Sequence, residues 1–128
     1  MILGIGVDVI ELDRVRRIMA RHGNRFFDRV LTERERAYCL RHRDPAPSVG
    51  ARFAAKEAWL KALGTGLAQG IGWHDVEVVR QAQEDPPRLE LRGRAAELAA
   101  RRGATASHLS ISHERSVAVA FVILEGQA

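Results

Sequence analysis

The sequence of 128 residues has few of several residue types that define whole classes of protein. Its single cysteine, Cys39, excludes a disulfide within the chain, so we expect a reducing, cytoplasmic environment. Aromatic residues make up only 5%, which is little for a protein that stacks side chains on nucleic-acid bases. Cysteine and histidine spacings typical of a zinc site are absent from the sequence. These scarcities count against a disulfide scaffold, a base-stacking module and a zinc finger.

A membrane-spanning run is also missing. The N-terminal stretch MILGIGVDVIELD is apolar, but it reaches Asp8 early and has no basic leader. We therefore expect neither a signal peptide nor a membrane partner. The formal net charge of +4 favours an anionic partner, either a nucleic acid, a phosphorylated small molecule or an acidic protein, although many basic proteins bind none of these. The length predicts a single domain spanning residues 1–128.

The N-terminal half contains one predicted strand followed by helices. Residues 2–10 are short, apolar and β-branched, which is typical of a buried strand. We expect Asp13 to cap a helix over 14–22, and Asn24 to cap a short second helix. The segment TERE, which begins at Thr32, has the sequence of a capping box and predicts a third helix.

The remaining elements alternate between strands and helices. We expect Ser48 to cap a long helix that Gly64 terminates. Two strands joined by AQEDPP, a short helix and a final hairpin are then predicted over 73–81, 88–92, 93–102 and 107–124. This arrangement indicates an α+β fold with a mainly antiparallel sheet packed with helices.

Charged residues in the segment RFAAKEAWLKALGTG interrupt a helix that is apolar around most of its circumference. Both lysines of the chain, Lys56 and Lys61, lie here together with Glu57. Arg52 and Lys56 share one face, and Glu57 and Lys61 share an adjacent face. An ordinary i,i+4 salt bridge between Glu57 and Lys61 would contribute about 0.3–0.5 kcal/mol if exposed. A partly buried carboxylate, however, needs a stronger partner, and a metal ion is one candidate.

Asp8 is the best remote candidate for a second metal ligand, because an acid is unusual inside an apolar strand. It could instead cap the strand end or accept backbone hydrogen bonds. If Asp8 and Glu57 converge, two carboxylates with water and substrate phosphates suit Mg²⁺. The following Gly64-Thr65-Gly66 allows close approach of a ligand, but a helix C-terminus repels anions. A phosphate there would depend on charge from Lys61.

Three segments together resemble a known enzyme family. GIGVDVIELDRV, RFAAKEAWLKALGTG and HLSISHERSVAVAFVIL resemble, in order and spacing, the holo-acyl-carrier-protein synthases, which are small bacterial 4′-phosphopantetheinyl transferases. The resemblance covers essentially the whole chain. It implies transfer of 4′-phosphopantetheine from coenzyme A to a serine of acyl carrier protein, with release of adenosine 3′,5′-bisphosphate, in support of fatty acid biosynthesis. It also implies Mg²⁺, with Mn²⁺ as an alternative, and a homotrimer with active sites between subunits.

The resemblance implies roles for particular residues. The implied metal ligands are Asp8 and Glu57, and the implied catalytic residues are Glu57 and Lys61. Residues implied to bind coenzyme A are Arg52, Lys61, Gly64, Thr65 and His113, with Arg52 near the ribose 3′-phosphate. Residues implied to dock the acidic carrier protein are Arg14, Arg17, Arg21 and Arg25.

The resemblance leaves the roles of some groups unassigned. Either Glu57 itself or a water on the metal could take the proton of the serine. Asp85 stands where the family usually has the glycine of a Gly-x-Pro turn, so we assign no coenzyme contact to this turn. Lys56 belongs to the motif but receives no role.

Two other functions are compatible with part of the sequence. A small basic nucleic-acid-binding module would explain the charge, but not Asp8, Glu57 and the two lysines. A coenzyme A-binding protein without transfer activity would explain the same motifs as the enzyme, and only an assay separates the two. The enzyme hypothesis implies no nucleic-acid partner.

Overall fold

A computed structural model describes residues 1–82 and 84–127. Its larger sheet has three antiparallel strands in the order β1-β5-β4, namely β1 (Ile2–Glu11), β5 (Val117–Gly126) and β4 (Ala104–His113). A second, two-stranded antiparallel sheet pairs β2 (Val76–Val79) with β3 (Arg88–Leu91). Both sheets are antiparallel, as the predicted order of strands and helices indicates.

Within the described residues, five α-helices accompany the sheets. They are α1 (Leu12–His22), α2 (Asn24–Val30), α3 (Glu33–Leu40), α4 (Ala46–Leu63) and α5 (Gly93–Arg101). The predicted α+β class with antiparallel strands is confirmed. Within the described ranges, no helix combines the length and the apolar character needed to cross a membrane.

Helix α4 is the centre of the core. Thirteen of its eighteen residues are buried, among them Trp59. It packs on the face of the larger sheet that carries Ala118, Ala120, Val122 and Leu124. Full burial of a side chain of the size of Leu or Val contributes about 1.5–3 kcal/mol, so this contact is a major source of stability.

The approach of β1 to α4 depends on glycine. A Cβ added at Gly6 would lie 1.8 Å from the carbonyl oxygen of Ala58, and one added at Gly4 would lie 2.0 Å from that of Ala62. No side chain fits in that space. Strand and helix backbones are therefore in direct contact, which brings the end of α4 close to the middle of β1.

The opposite face of the larger sheet is open. Strand β1 exposes Ile5, Val7 and Val9 at 55%, 47% and 59%, and Phe121 on β5 is 41% exposed. Phe121 is the direct cross-strand neighbour of Val7, so these side chains form one continuous apolar surface. We call it the open sheet face.

Two of the predicted helix caps, both near the N-terminus of the chain, are wrong. Helix α1 begins at Leu12, whose backbone N–H donates to the carbonyl of Ser116, so Asp13 lies in the first turn. Asp13 instead accepts a hydrogen bond from Arg16 at 3.0 Å. Asn24 is the first residue of α2, and Gly23 precedes it as the cap, with a φ of 49° that favours glycine.

The predicted cap of α4 is also wrong. The helix begins at Ala46, two residues before Ser48. The carboxylate of Asp44 accepts a hydrogen bond from the backbone N–H of Ala46 at 3.2 Å, and Pro47 fits the first turn because its N–H is not needed there. The predicted strand over 73–81 is shorter than expected, because a 3₁₀ turn at Trp73–Asp75 precedes β2.

Candidate active site

Asp8 and Lys61 meet where β1 crosses the last turn of α4. Asp8 lies on the same side of β1 as the buried Gly6 and Ile10, because alternate residues of a strand share a face. The Lys61 ammonium donates to Asp8 Oδ1 at 3.0 Å and to the carbonyl of Val7 at 3.0 Å. The Asp8 side chain is only 18% exposed, so this charge pair lies at the edge of the core.

Glu57 lies one helical turn before Lys61 and is partly buried. Burial raises the pKa of the Glu57 carboxyl, and the nearby Asp8 carboxylate raises it further, while Lys61 partly opposes both effects. Among the described residues, Lys61 forms its ion pair with Asp8 and not with Glu57. Lys61 thus pairs across 53 residues instead of forming the ordinary i,i+4 salt bridge with Glu57.

These two carboxylates fit a magnesium ion. Across residues 1–82 and 84–127, no group of three or more His, Cys, Asp or Glu side chains could hold a metal by itself. Mg²⁺ does not require one, since it is commonly bound by one or two carboxylates plus water and substrate phosphates. Burial is the largest cause of the raised pKa of Glu57, but repulsion by Asp8 also outweighs the attraction of Lys61, so the two carboxylates have an excess of negative charge. A cation between the two would relieve that excess.

The segment after α4 carries glycine where the chain turns. Gly64 caps the helix with a φ of 90°, and its N–H donates to the carbonyl of Leu60. The Thr65 hydroxyl donates to the carbonyl of Gly66 at 2.9 Å. Sequence reasoning missed Arg102, whose guanidinium donates to the carbonyls of Leu63 and Leu3 and so supplies a positive charge at the C-terminus of α4.

Arg52 and His113 line a second site, a cavity of about 400 Å³. The Arg52 side chain is buried, with its guanidinium carbon 4.2 Å from the centre of the Tyr38 ring. Its Nη1 donates to the carbonyl of Ser48 at 3.2 Å, whereas its Nε has no partner in the described part of the chain. Arg80 also lines this cavity, so two arginine side chains border it.

The candidate metal ligands and this cavity lie on different sides of α4. Arg52 and Glu57 are five residues apart, which places them about 140° apart around the helix axis. The structure thus brings Asp8 and Lys61 together beside Glu57, and it brings Arg52 together with His113, but it does not unite the two groups within one chain.

The four arginines predicted to contact a carrier protein are all exposed. Arg14, Arg17 and Arg21 lie on α1, and Arg25 lies on α2. Arg25 also borders an apolar groove of about 760 Å³, whose other lining residues include Ile18, Phe26, Phe53, Leu67 and Trp73. The rings of Phe53 and Trp73 stack with their centres 5.3 Å apart. Positive charge and apolar surface are thus adjacent on this side of the molecule.

The turn that contains Asp85 is held by its own hydrogen bonds. Asp85 Oδ2 accepts from the N–H of Ala82 at 3.1 Å, and the Asp85 carbonyl accepts from the Arg80 guanidinium at 2.8 Å. Asp85 therefore has a local structural role.

Known proteins of one family are similar to this chain over nearly its whole length. A family model described as the 4′-phosphopantetheinyl transferase superfamily matches residues 4–122. The chain is also similar to curated proteins named holo-(acyl-carrier-protein) synthase. It is 48% identical to the one from Alkalilimnicola ehrlichii, with 98% of each chain covered. It is 44% identical to that of Maridesulfovibrio salexigens, with 98% of this chain and 99% of the relative covered.

Solved structures of proteins with the same name are also similar to this chain. The holo-(acyl-carrier-protein) synthase of Neisseria meningitidis superposes with a TM-score of 0.87 at 32% identity, covering 98% of this chain and 99% of that one. That of Bacillus anthracis, solved in complex with CoA (3′,5′-ADP), gives a TM-score of 0.80 at 37% identity, with 99% of each chain covered. The chain belongs to the 4′-phosphopantetheinyl transferase superfamily and, within it, to the holo-(acyl-carrier-protein) synthase family. It is accordingly a transferase.

Proposed function

We propose that this 128-residue domain transfers 4′-phosphopantetheine from coenzyme A to a serine of an apo-acyl carrier protein, releasing adenosine 3′,5′-bisphosphate. The observation that carries the proposal is the contact of Lys61 with Asp8 at 3.0 Å beside the partly buried Glu57. One ammonium and two carboxylates at a glycine-rich turn form a site for a metal-bound pyrophosphate.

Asp8 and Glu57 would hold Mg²⁺, or Mn²⁺ in its place, and the ion would neutralise charge that develops on the phosphates. Lys61 has three N–H donors, so it can turn from Asp8 to an oxygen of the leaving phosphate. Glu57 lies beside Asp8 and Lys61 and is our candidate for the group that accepts the proton of the attacking serine hydroxyl. The nucleophile belongs to the protein substrate, so catalysis here consists of positioning and charge neutralisation.

Arg52 and His113 are our candidates for binding the far end of the coenzyme. The Arg52 guanidinium lines this cavity and donates through Nη1 to the carbonyl of Ser48, so it has further N–H groups that a phosphate could accept from. A charge-assisted hydrogen bond of this kind is about twice as strong as a neutral one. Gly64 and Thr65 would lie along the coenzyme, because the glycine backbone allows close approach.

We further propose a homotrimer with active sites between subunits. Its support is the open sheet face, where four apolar side chains are 41–59% exposed, together with the separation of Arg52 from Asp8 within one chain. Sedimentation should give three times the chain mass of 14.2 kDa. Val7→Glu should yield monomers and abolish transfer, whereas Ala100→Glu, on the exposed side of α5, should change neither. A monomeric wild-type protein with full activity would contradict this arrangement.

The arginines of α1 and α2 would dock the carrier protein. Acyl carrier proteins are acidic, and a row of exposed Arg14, Arg17, Arg21 and Arg25 would steer one toward the site. As part of the same proposal, the product serves fatty acid biosynthesis and the protein acts in the cytoplasm.

The decisive experiment incubates the protein with coenzyme A, Mg²⁺ and apo-carrier protein, followed by mass spectrometry of the carrier. We expect a gain of one phosphopantetheine, which a chelator suppresses. Asp8→Asn and Glu57→Gln should reduce transfer by a factor of about 10³ or more, while Glu97→Gln on the exposed side of α5 should not. Coenzyme A binding without any mass gain, with a cognate carrier, would instead identify a binding protein.

A further inference from the structure

Lys56 is a buried motif residue that the proposed reaction does not use. Its side chain is 1% exposed. The ammonium donates to the carbonyl of Val30 at 2.6 Å, to Glu35 Oε1 at 2.7 Å and to the carbonyl of Trp73 at 2.9 Å. Three donors therefore meet three acceptors, and every N–H is used inside the protein. Closed off from solvent, Lys56 has no path to a coenzyme phosphate.

Both carboxylate oxygens of its partner Glu35 also accept hydrogen bonds inside the protein. Glu35 Oε1 also accepts from the backbone N–H of Thr32 at 2.9 Å, which completes the predicted capping box of α3. Glu35 Oε2 accepts from the N–H of Val78 at 2.8 Å. The ion pair thus ties α4 to the end of α2, the start of α3, the 3₁₀ turn and β2. We call this set of contacts the Lys56–Glu35 clamp.

Stability alone does not account for a buried ion pair at this place. An apolar pair of similar volume is often as stable or more stable, because two charges no longer lose their hydration. What the charged pair adds is a fixed orientation, because its hydrogen bonds are directional. Helix α4 needs it, since long side chains that interlock with neighbours normally fix a helix's rotation, and six of its thirteen buried residues are alanines. These are Ala46, Ala51, Ala54, Ala55, Ala58 and Ala62.

We propose that Lys56 is a positioning residue that sets the rotation of α4 and so places Glu57, its direct neighbour, against Asp8. This inference rests on the proposed function. Groups at the rim of a helix lie about 5–6 Å from its axis, so a rotation of about 10° moves them by about 1 Å. Mg²⁺ demands nearly ideal octahedral geometry, and a displacement of this size is enough to weaken its binding.

The clamp also fixes two further parts of the site relative to α4. Trp73 directly follows the glycine-rich segment after α4, so its carbonyl anchors the far end of that segment. Val30 is the last residue of α2, the helix whose Arg25 belongs to the proposed docking surface. Lys56 therefore joins the coenzyme side and the carrier side to the helix that carries Glu57.

The test uses the double variant Lys56→Met/Glu35→Gln. It removes both charges, and the new amide can still accept from Val78 N and can donate to a carbonyl that the ammonium leaves. We expect a folded protein whose Mn²⁺ dissociation constant with coenzyme A, followed by electron paramagnetic resonance, rises roughly tenfold or more. The Mg²⁺ concentration for half-maximal transfer should rise in parallel, and saturating Mg²⁺ should restore most of kcat.

Controls separate positioning from stability. Leu98→Ala on α5, which packs against the core, should lower the unfolding temperature but leave both metal constants unchanged. Lys56→Gln, assayed below its own unfolding temperature, provides a second variant with the same expected shift. A wild-type metal constant in either folded variant would overturn the proposal. A wild-type protein that neither binds Mn²⁺ nor transfers would instead refute the proposed function.

Discussion

Substitution of Gly6 by alanine should separate β1 from α4 and disable the site. The added Cβ would lie 1.8 Å from the carbonyl oxygen of Ala58, whereas real Cβ contacts are essentially never under 3.0 Å. The backbones must therefore move apart by at least 1.2 Å, because neither group can turn away. Overpacking of this kind costs about 1–3 kcal/mol. Asp8 lies two residues further along the strand, so it moves away from Glu57 by a similar distance.

We expect Gly6→Ala to lower the free energy of unfolding in urea by about 3 kcal/mol. Transfer should fall roughly 100-fold, the penalty for a misplacement of about 1 Å. Gly72→Ala is the matched control: Gly72 has a φ of −101°, and its added Cβ meets nothing closer than the Asp75 carboxylate at 4.0 Å. That variant should stay within a few tenths of a kcal/mol of the wild type. If Gly6→Ala behaves like Gly72→Ala, direct backbone packing does not position Asp8.

Three further predictions concern charge and reactivity. Burial alone would raise the pKa of Glu77, but hydrogen bonds from Arg34, Thr32 and Arg92 lower it from 4.5 to about 2. This contribution to stability, about 3 kcal/mol, should be complete above pH 4.5 and disappear between about pH 4.5 and 2, as urea unfolding at several pH values will show. In Glu77→Gln that part of the pH dependence should be missing. Charge reversal of Arg14 and Arg21 should raise the KM for the carrier at least tenfold at low salt and leave coenzyme A binding intact, with the difference shrinking as salt screens the charges. An unchanged KM would argue against docking at α1, and equal loss of both substrates would indicate misfolding. Burial raises the pKa of the Cys39 thiol to about 11, so a thiol reagent should modify it only on unfolding; rapid labelling of the native protein would contradict its burial.

Local pattern was sufficient for much of the fold. The short, apolar and β-branched run over residues 2–10 predicted β1, and the order of strands and helices predicted the antiparallel α+β fold. Thr32 and Glu35 predicted the start of α3, and Gly64 predicted the end of α4, since each acts within its own turn. The motif segments predicted the enzyme family, which the comparisons confirm.

The helix caps at Asp13 and Ser48 were wrong for a physical reason. A residue that can cap a helix does so only if no other contact fixes the chain first. Here the hydrogen bond from Leu12 N to the carbonyl of Ser116, more than 100 residues away, starts α1 two residues early, and Asp44 and Pro47 start α4 early.

The contacts that build the site depended on tertiary structure in the same way. The sequence by itself determined which chemical groups are present, and it placed Glu57 and Lys61 on one helical face. It did not determine that Lys61 would pair with Asp8, that Arg52 would be buried over Tyr38, or that Lys56 would bind Glu35. Each of these contacts joins residues that are 14 or more positions apart. Only the packing of α4 against β1, α3 and the 3₁₀ turn brings such residues together, because helical and strand periods specify neighbours within an element and not between elements.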